Sequence, residues 1–151
     1  MDPKAIFAFG YDLGAHGTEK LKEASKFGDL PGVAWYDPDN DDDGPIEQAE
    51  LHLLAAAGVK VSEGPDHETL LKEHLGVWFE RYGWDGEPDY LLTAYVLKVD
   101  WDDDARPLDF AELAKQVVQH DLDTKLADAL AKLGVTPTQE RPVWLHCAYG
   151  D

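Results

Sequence analysis

Apolar and polar positions alternate along this chain in two periods, and switches between them divide it into short elements. Ala5–Leu13, AIFAFGYDL, is an apolar run rich in aromatics with a glycine at its centre, the pattern of a buried first strand. Thr18 is a candidate N-cap for EKLKEASKF, where Leu21, Ala24 and Phe27 recur at helical spacing and Gly28 supplies a stop. GVAWYD, residues 32–37, reads as a short strand. Ile46, Ala49, Leu53 and Ala57 share one side of a helix predicted over Ile46–Ala57 and ended by Gly58. VKVS reads as a short strand or extended link, and Asp66 caps a helix over HETLLKEHL that Gly76 closes.

The strongest β signal follows. VWFERYGW and DYLLTAYVLKVD flank DGEP, whose residues favour turns, so the pair predicts an antiparallel hairpin. Asp109 caps FAELAKQVVQH, and a break near Asp121–Asp123 leads to TKLADALAKLG, with Leu126, Ala129, Leu130 and Leu133 on one face. VWLHCAY is a last apolar strand. The predicted order is β-α-β-α-β-α-β-β-α-α-β within a single domain, residues 1–151. The hairpin interrupts strict alternation, which points to an α+β (mixed α/β) class. The expectation is a single sheet of about five to six strands, mostly antiparallel or mixed, packed with about five helices. The first and last strands, FAFGY and LHCAY, are expected near the sheet centre and side by side.

Composition leaves that picture intact: 44% hydrophobic residues are enough to close a core without disulfides or metal. Charge changes it. Against 31 acidic residues stand 13 Lys and Arg, for a net charge of −18. Such a surface repels nucleic-acid phosphates and anionic membranes, so direct nucleic-acid and membrane binding are disfavoured. A basic protein partner or a cation suits it better. A salt-adapted surface is the weaker reading, because the basic residues are mostly lysine. The lone Cys147 allows no intramolecular disulfide. No apolar stretch is long enough to span a membrane or serve as a secretion signal, and a cytoplasmic location is expected.

The acidity concentrates in two loops. In DPDNDDDGPIEQAE, taking Asp39 as position 1 puts Asp41 at 3, Asp43 at 5, Gly44 at 6, Ile46 at 8 and Glu50 at 12. Carboxylates at 1, 3 and 5 supply hard oxygens, the glycine permits a sharp turn, the position-7 carbonyl of Pro45 adds an oxygen, and the final glutamate supplies two. Over these twelve residues the loop resembles that of EF-hand proteins, which implies a Ca2+ site formed by Asp39, Asp41, Asp43, Pro45 and Glu50. The preceding LPGVAWYDP is no incoming helix, and no second hand is present. Against this stands a simpler reading, acidic residues meeting the dipole and free N–H groups of a helix start. The second loop, VDWDDDARPLDF, keeps alternate spacing at Asp100, Asp102 and Asp104 but has Ala105 and Ala111 at the glycine and glutamate positions. Both loops follow a predicted strand and precede a helix. If those strands run parallel, both loops share one sheet edge. Trp84 beside the hairpin turn and Trp101 inside the second loop are expected to be exposed. With Asp37, Asp41, Asp42, Asp102, Asp103 and Asp104 they form a candidate surface for a basic partner.

Catalytic motifs are absent: there is no Walker loop, G-x-G-x-x-G, H-E-x-x-H or G-x-S-x-G. Gly10, Gly14 and Gly17 read as a glycine-rich turn rather than an anion cradle. His146 and Cys147 are adjacent strand residues and face opposite sides. A thiol nucleophile would require His16 beside Cys147 with Asp12 as orienter. His67 and His74, seven apart on one helix, lack a third zinc ligand. FAFGYDLG, the WYD segment ahead of EQAELHLLAAAG, and TPTQERPVWLHCAYG resemble small uncharacterised proteins of actinobacteria and their phages. That resemblance implies a bacterial or phage origin and carries no activity with it.

The leading expectation is therefore a non-enzymatic protein whose Asp-rich face binds a basic partner, acting as a nucleic-acid mimic or inhibitor. One alternative is a calcium-binding domain built on the first loop. Another is a small enzyme with a pocket near the first and last strands, using Asp12, His16 and His146.

Overall fold

The computed structural model describes residues 3–150. Four strands and four helices follow in the order β1 (Lys4–Ala15), α1 (Pro45–Ala56), α2 (His67–His74), β2 (Trp78–Trp84), β3 (Asp89–Asp100), α3 (Phe110–Gln119), α4 (Leu122–Leu133) and β4 (Val143–Gly150). The class is α+β, with one sheet, and the element count is lower than the sequence predicts on both sides.

The strands close in the order β1-β3-β2-β4. β1 lies between β3 and β4 and is antiparallel to both, with Phe7 opposite Leu97 on one side and His146 on the other. The first and last strands are thus neighbours, as their shared apolarity predicts. β2 and β3 form the expected antiparallel hairpin. Closure comes from a two-residue parallel contact, Gly83 and Trp84 against Tyr149 and Gly150. Three antiparallel interfaces leave β2 and β4 running in opposite senses, so a parallel contact at their ends requires strong twist and coiling.

β1 accommodates this bend with irregularities at Phe9/Gly10 and Asp12/Gly14. At the first, a Cβ on Gly10 would lie 2.0 Å from the Leu92 carbonyl oxygen, so only glycine fits. Buried Thr93 stitches the bulge: its hydroxyl donates to the Phe9 carbonyl at 2.8 Å.

Alternation along the strands makes two cores. On the outer face Phe9, Tyr11, Leu13, Phe79 and Leu92 meet Leu53 and Leu54 of α1, Leu71 of α2 and Leu126 of α4. On the enclosed face Ile6, Ala8, Leu91 and Tyr149 form a smaller cluster with Tyr82, Val96, Leu145 and Cys147. Asp66 caps α2 by accepting from the Thr69 N–H at 2.8 Å, and Asp109 caps α3 by accepting from the Glu112 N–H at 3.1 Å, both as predicted.

Three predicted elements do not form. Residues 18–28 make turns instead of a helix, because Lys20–Lys22 pair with the segment before β4. The Lys22 N–H donates to the Thr136 carbonyl at 2.8 Å and the Thr138 N–H to the Lys20 carbonyl at 2.8 Å, around a Leu21–Pro137 bridge. Phe27, expected on the buried helix face, is exposed. Residues 32–37 form successive turns instead of a strand; Trp35 anchors them, donating its ring N–H to the Leu133 carbonyl at the end of α4 at 2.7 Å. The VKVS segment has no ladder partner, so of its two readings the extended link holds and the strand does not. No helix among the described residues is long and apolar enough to cross a membrane.

Candidate functional site

β3 ends at Asp100, opposite Lys4. There the chain turns: the Asp103 N–H donates to the Asp100 carbonyl at 3.0 Å, and the Asp103 carboxylate accepts the Asp100 N–H at 2.9 Å. The turn gathers the carboxylates of Asp100, Asp102 and Asp103 within 4.8 Å of one another on the surface. This is the only such group of three metal-ligating side chains among the described residues, and its chemistry suits a hard cation. Cationic compensation is thin: Lys4 lies 3.8 Å from Asp100 and Arg106 lies 3.4 Å from Asp103.

Both candidate tryptophans border this end of the barrel. The Trp101 N–H donates to the Pro3 carbonyl at 3.0 Å. Pro3 in turn packs on Gly150, where an added Cβ would come within 3.2 Å of it. Gly150 pairs with Trp84 and accepts the Asp85 N–H at 2.9 Å. The Tyr149 hydroxyl donates to the Asp85 carboxylate. Barrel closure therefore links Trp84 and Trp101 through Gly150 and Pro3, and both indoles are exposed, at 61% and 67%. Sequence position places Trp84 beside the hairpin turn and Trp101 in a loop; the link between them exists only through β4.

The other acidic loop is built differently and sits elsewhere. Asn40 accepts the Asp42 and Asp43 N–H groups at 3.1 and 3.0 Å, and Asp37 accepts the Asp39 N–H at 3.0 Å. Gln48, only 8% exposed, accepts the Asp37 N–H at 2.7 Å and donates to the carbonyls of Asp37 and Asp43, each at 3.0 Å. Pro45 stands at the first position of α1. Glu50 turns away toward α2, with its Oε1 3.5 Å from His67 Nδ1. The structure does not bring Asp39, Asp41, Asp43 and Glu50 together around one point. The loop's location is given by Gly17, whose added Cβ would lie 2.2 Å from Ile46 Cδ1. α1 thus begins beside the Ala15–Asp89 end of β1 and β3, opposite the Lys4–Asp100 end. A twelve-residue strand, roughly 35 Å at full extension, lies between the two loops. The common edge depends on a strand over residues 32–37, and that segment is turns.

Between the starts of α1 and α2 and the β1–β3 end lies an open cleft of about 740 Å³, lined by Glu47, Glu50, His67, His16, Arg81 and Tyr90 among others. Burial raises the Glu50 carboxyl above its usual range, opposed by His67, and a hydrogen bond with Asp43 raises Glu47. This grouping escapes sequence reading because α2 supplies His67; only helical spacing of Glu47 and Glu50 hints at it.

The groups weighed for catalysis are dispersed. Asp12 accepts from Lys20 Nζ at 2.5 Å, the Tyr82 hydroxyl at 2.6 Å and the Gly14 N–H at 3.0 Å, so it is structurally engaged. Cys147 faces the enclosed side; burial, then Asp12 and Glu80, push its thiol up to about 11, opposite to an activated thiolate. His146 is exposed on the outer face opposite Phe7, whereas His16 follows the far end of β1. His67 and His74 occupy opposite ends of α2, about 10 Å apart along the axis.

Compared with known proteins, the chain matches no family, no curated sequence and no solved structure.

Proposed function

We propose that this protein is a non-enzymatic interaction module that sets the Trp84–Trp101 end of its barrel against a basic protein surface. The observation that carries the reading is the juxtaposition of two exposed indoles with the crowded carboxylates of Asp100, Asp102 and Asp103. Indoles supply desolvated contact area and carboxylates supply orientation and encounter rate. Asp104, exposed in the same turn, extends the acidic side. A partner surface that ordinarily receives nucleic-acid phosphates has the matching charge, so the module would compete with nucleic acid for it. Asp37, Asp41 and Asp42 belong to the far end and take no part in this contact.

Calorimetry with a Lys/Arg-rich peptide as the probe tests the reading. Binding should weaken at least tenfold between about 50 and about 300 mM salt. It should weaken further in Trp101→Ala and in Asp102→Asn/Asp103→Asn, and stay unchanged in Asp41→Asn/Asp42→Asn. Equal weakening by the two Asp pairs would show attraction by net charge alone and remove the proposed surface.

A second reading rests on the gathered Asp100, Asp102 and Asp103 carboxylates: this turn, rather than the EF-hand-like loop, would take calcium. Saturable calcium binding lost in Asp103→Ala and kept in Asp41→Ala would support it. The reverse pattern would return the site to Asp39, Asp41, Asp43, Pro45 and Glu50. The absence of saturable binding in the native chain would remove both sites.

A further inference from the structure

The helices cover only part of the outer sheet face. Toward the Lys4 end, that face carries Ala5 and Phe7 of β1, Leu97 and Val99 of β3, and His146 and Ala148 of β4. Ala5, His146 and Ala148 are exposed. The strap between β3 and α3 walls this area with Arg106, Pro107 and Leu108, enclosing a groove of about 600 Å³. Phe7 meets Phe110 edge-on at 6.4 Å and stacks on Trp144 at 5.1 Å. The volume lies within the range of small-molecule sites, and the lining is mainly apolar, as such sites require.

Its charge is opposite to that of the molecule. Acidic residues make up 31 of 151 positions, yet among the described residues no Asp or Glu lines the groove. The cationic residues that line it are Lys98 and Arg106. Lys98 is held by Glu80 at 2.8 Å, with Glu80 almost fully buried. Arg106 is different: one guanidinium nitrogen donates to the Lys98 carbonyl and another to Asp103, both at a long 3.4 Å, and the group is largely exposed. A guanidinium has five N–H donors, so most of its capacity is free for a planar anion. His146 adds a polar ring on the same face.

We propose that this groove binds a small amphipathic carboxylate, its apolar body over Phe7, Leu97 and Val99 and its carboxylate on Arg106. The groove adjoins the Asp100–Asp103 turn through the Arg106–Asp103 pair, but its occupancy does not rest on that turn meeting a basic partner. Apolar burial supplies attraction for the body, and Arg106 must overcome the repulsion that a net charge of −18 imposes on any anion. The groove should therefore prefer the carboxylate over the alcohol of equal chain length through this one residue.

Decanoate serves as the probe, titrated into the full chain at about 150 mM salt, with decanol as the neutral control. Methyl NMR should show saturable one-site shifts at Ala5, Leu97, Val99, Leu108 and Ala148, with decanol binding more weakly. Arg106→Gln should weaken decanoate at least tenfold and leave decanol unchanged, and Ala148→Trp should remove both ligands while keeping the native melting temperature. Leu108→Asp, on the exposed strap, replaces Ala148→Trp if that variant fails to fold. Absence of groove shifts, or decanoate affinity unaltered in Arg106→Gln, would overturn the proposal. So would concentration-dependent dimerisation that shields the same methyls without ligand, which would make a second copy of the chain the occupant.

Discussion

The two acidic loops are close in composition and opposite in construction. In the loop before α1, neutral amides do most of the structural work: Asn40 and Gln48 take most of the backbone donors and carbonyls, Asp37 accepts only the Asp39 N–H, and no three of the loop's carboxylates gather. In the loop after β3, a carboxylate does that work: Asp103 accepts the Asp100 N–H, and crowding with Asp100 and Asp102 results. The spacing of aspartates is a poor guide to where their oxygens converge. The group that satisfies the backbone decides it, because an unpaired buried donor or acceptor costs more than solvating one more carboxylate.

The largest effect should come from separating the first loop from the barrel. Gly17 has φ +73° and touches Ile46, so Gly17→Ala combines left-handed strain with overpacking. It should lower stability by about 2–4 kcal/mol in denaturant unfolding. Peptide binding at the far end should be unchanged at temperatures where the variant is folded. Next comes the amide brace: Gln48→Ala leaves the Asp37 N–H and the Asp37 and Asp43 carbonyls without their partner and should cost about 1–3 kcal/mol. The matching change in the other loop, Asp103→Asn, keeps an acceptor on an exposed turn and should cost under about 1 kcal/mol. Equal losses in Gln48→Ala and Asp103→Asn would erase the distinction between the loops.

The smallest effect concerns pH. Burial raises the folded pKa of Glu50 above its ordinary 4.5. The associated stability is present in full below pH 4.5 and is lost as pH rises through the raised value. Glu50→Gln, neutral throughout, should therefore flatten the fall in melting temperature across that window. An unaltered pH profile would show that His67 offsets the burial completely.

Local chemistry made much of this molecule legible. DGEP between two apolar runs locates the hairpin, and Asp66 and Asp109 locate two helix starts, because turns and caps depend on neighbouring residues. Trp84 and Trp101 read as exposed for the same reason. What failed depends on distant partners. Lys20–Lys22 gives up a helix to pair with Thr136–Thr138, and Trp35 reaches the last carbonyl of α4, neither of which leaves a mark at helical or strand spacing. The EF-hand-like spacing of Asp39 to Glu50 matches letter by letter, yet Glu50 is drawn to His67 and Pro45 opens the helix.

The position of β1 has a consequence for synthesis. Its hydrogen-bonding neighbours are β3 and β4, the latter at Val143–Gly150, so it emerges first among the described strands and waits for partners made much later. Until β3 emerges the nascent chain presents IFAFGY with both edges unpaired, and until β4 emerges one edge stays open, an aggregation-prone segment tethered to the ribosome. β1, β3 and β2 can pair as translation proceeds, but the barrel closes only once β4 has emerged. A chain stopped before β4 leaves the β4-facing edge of β1 open to other copies.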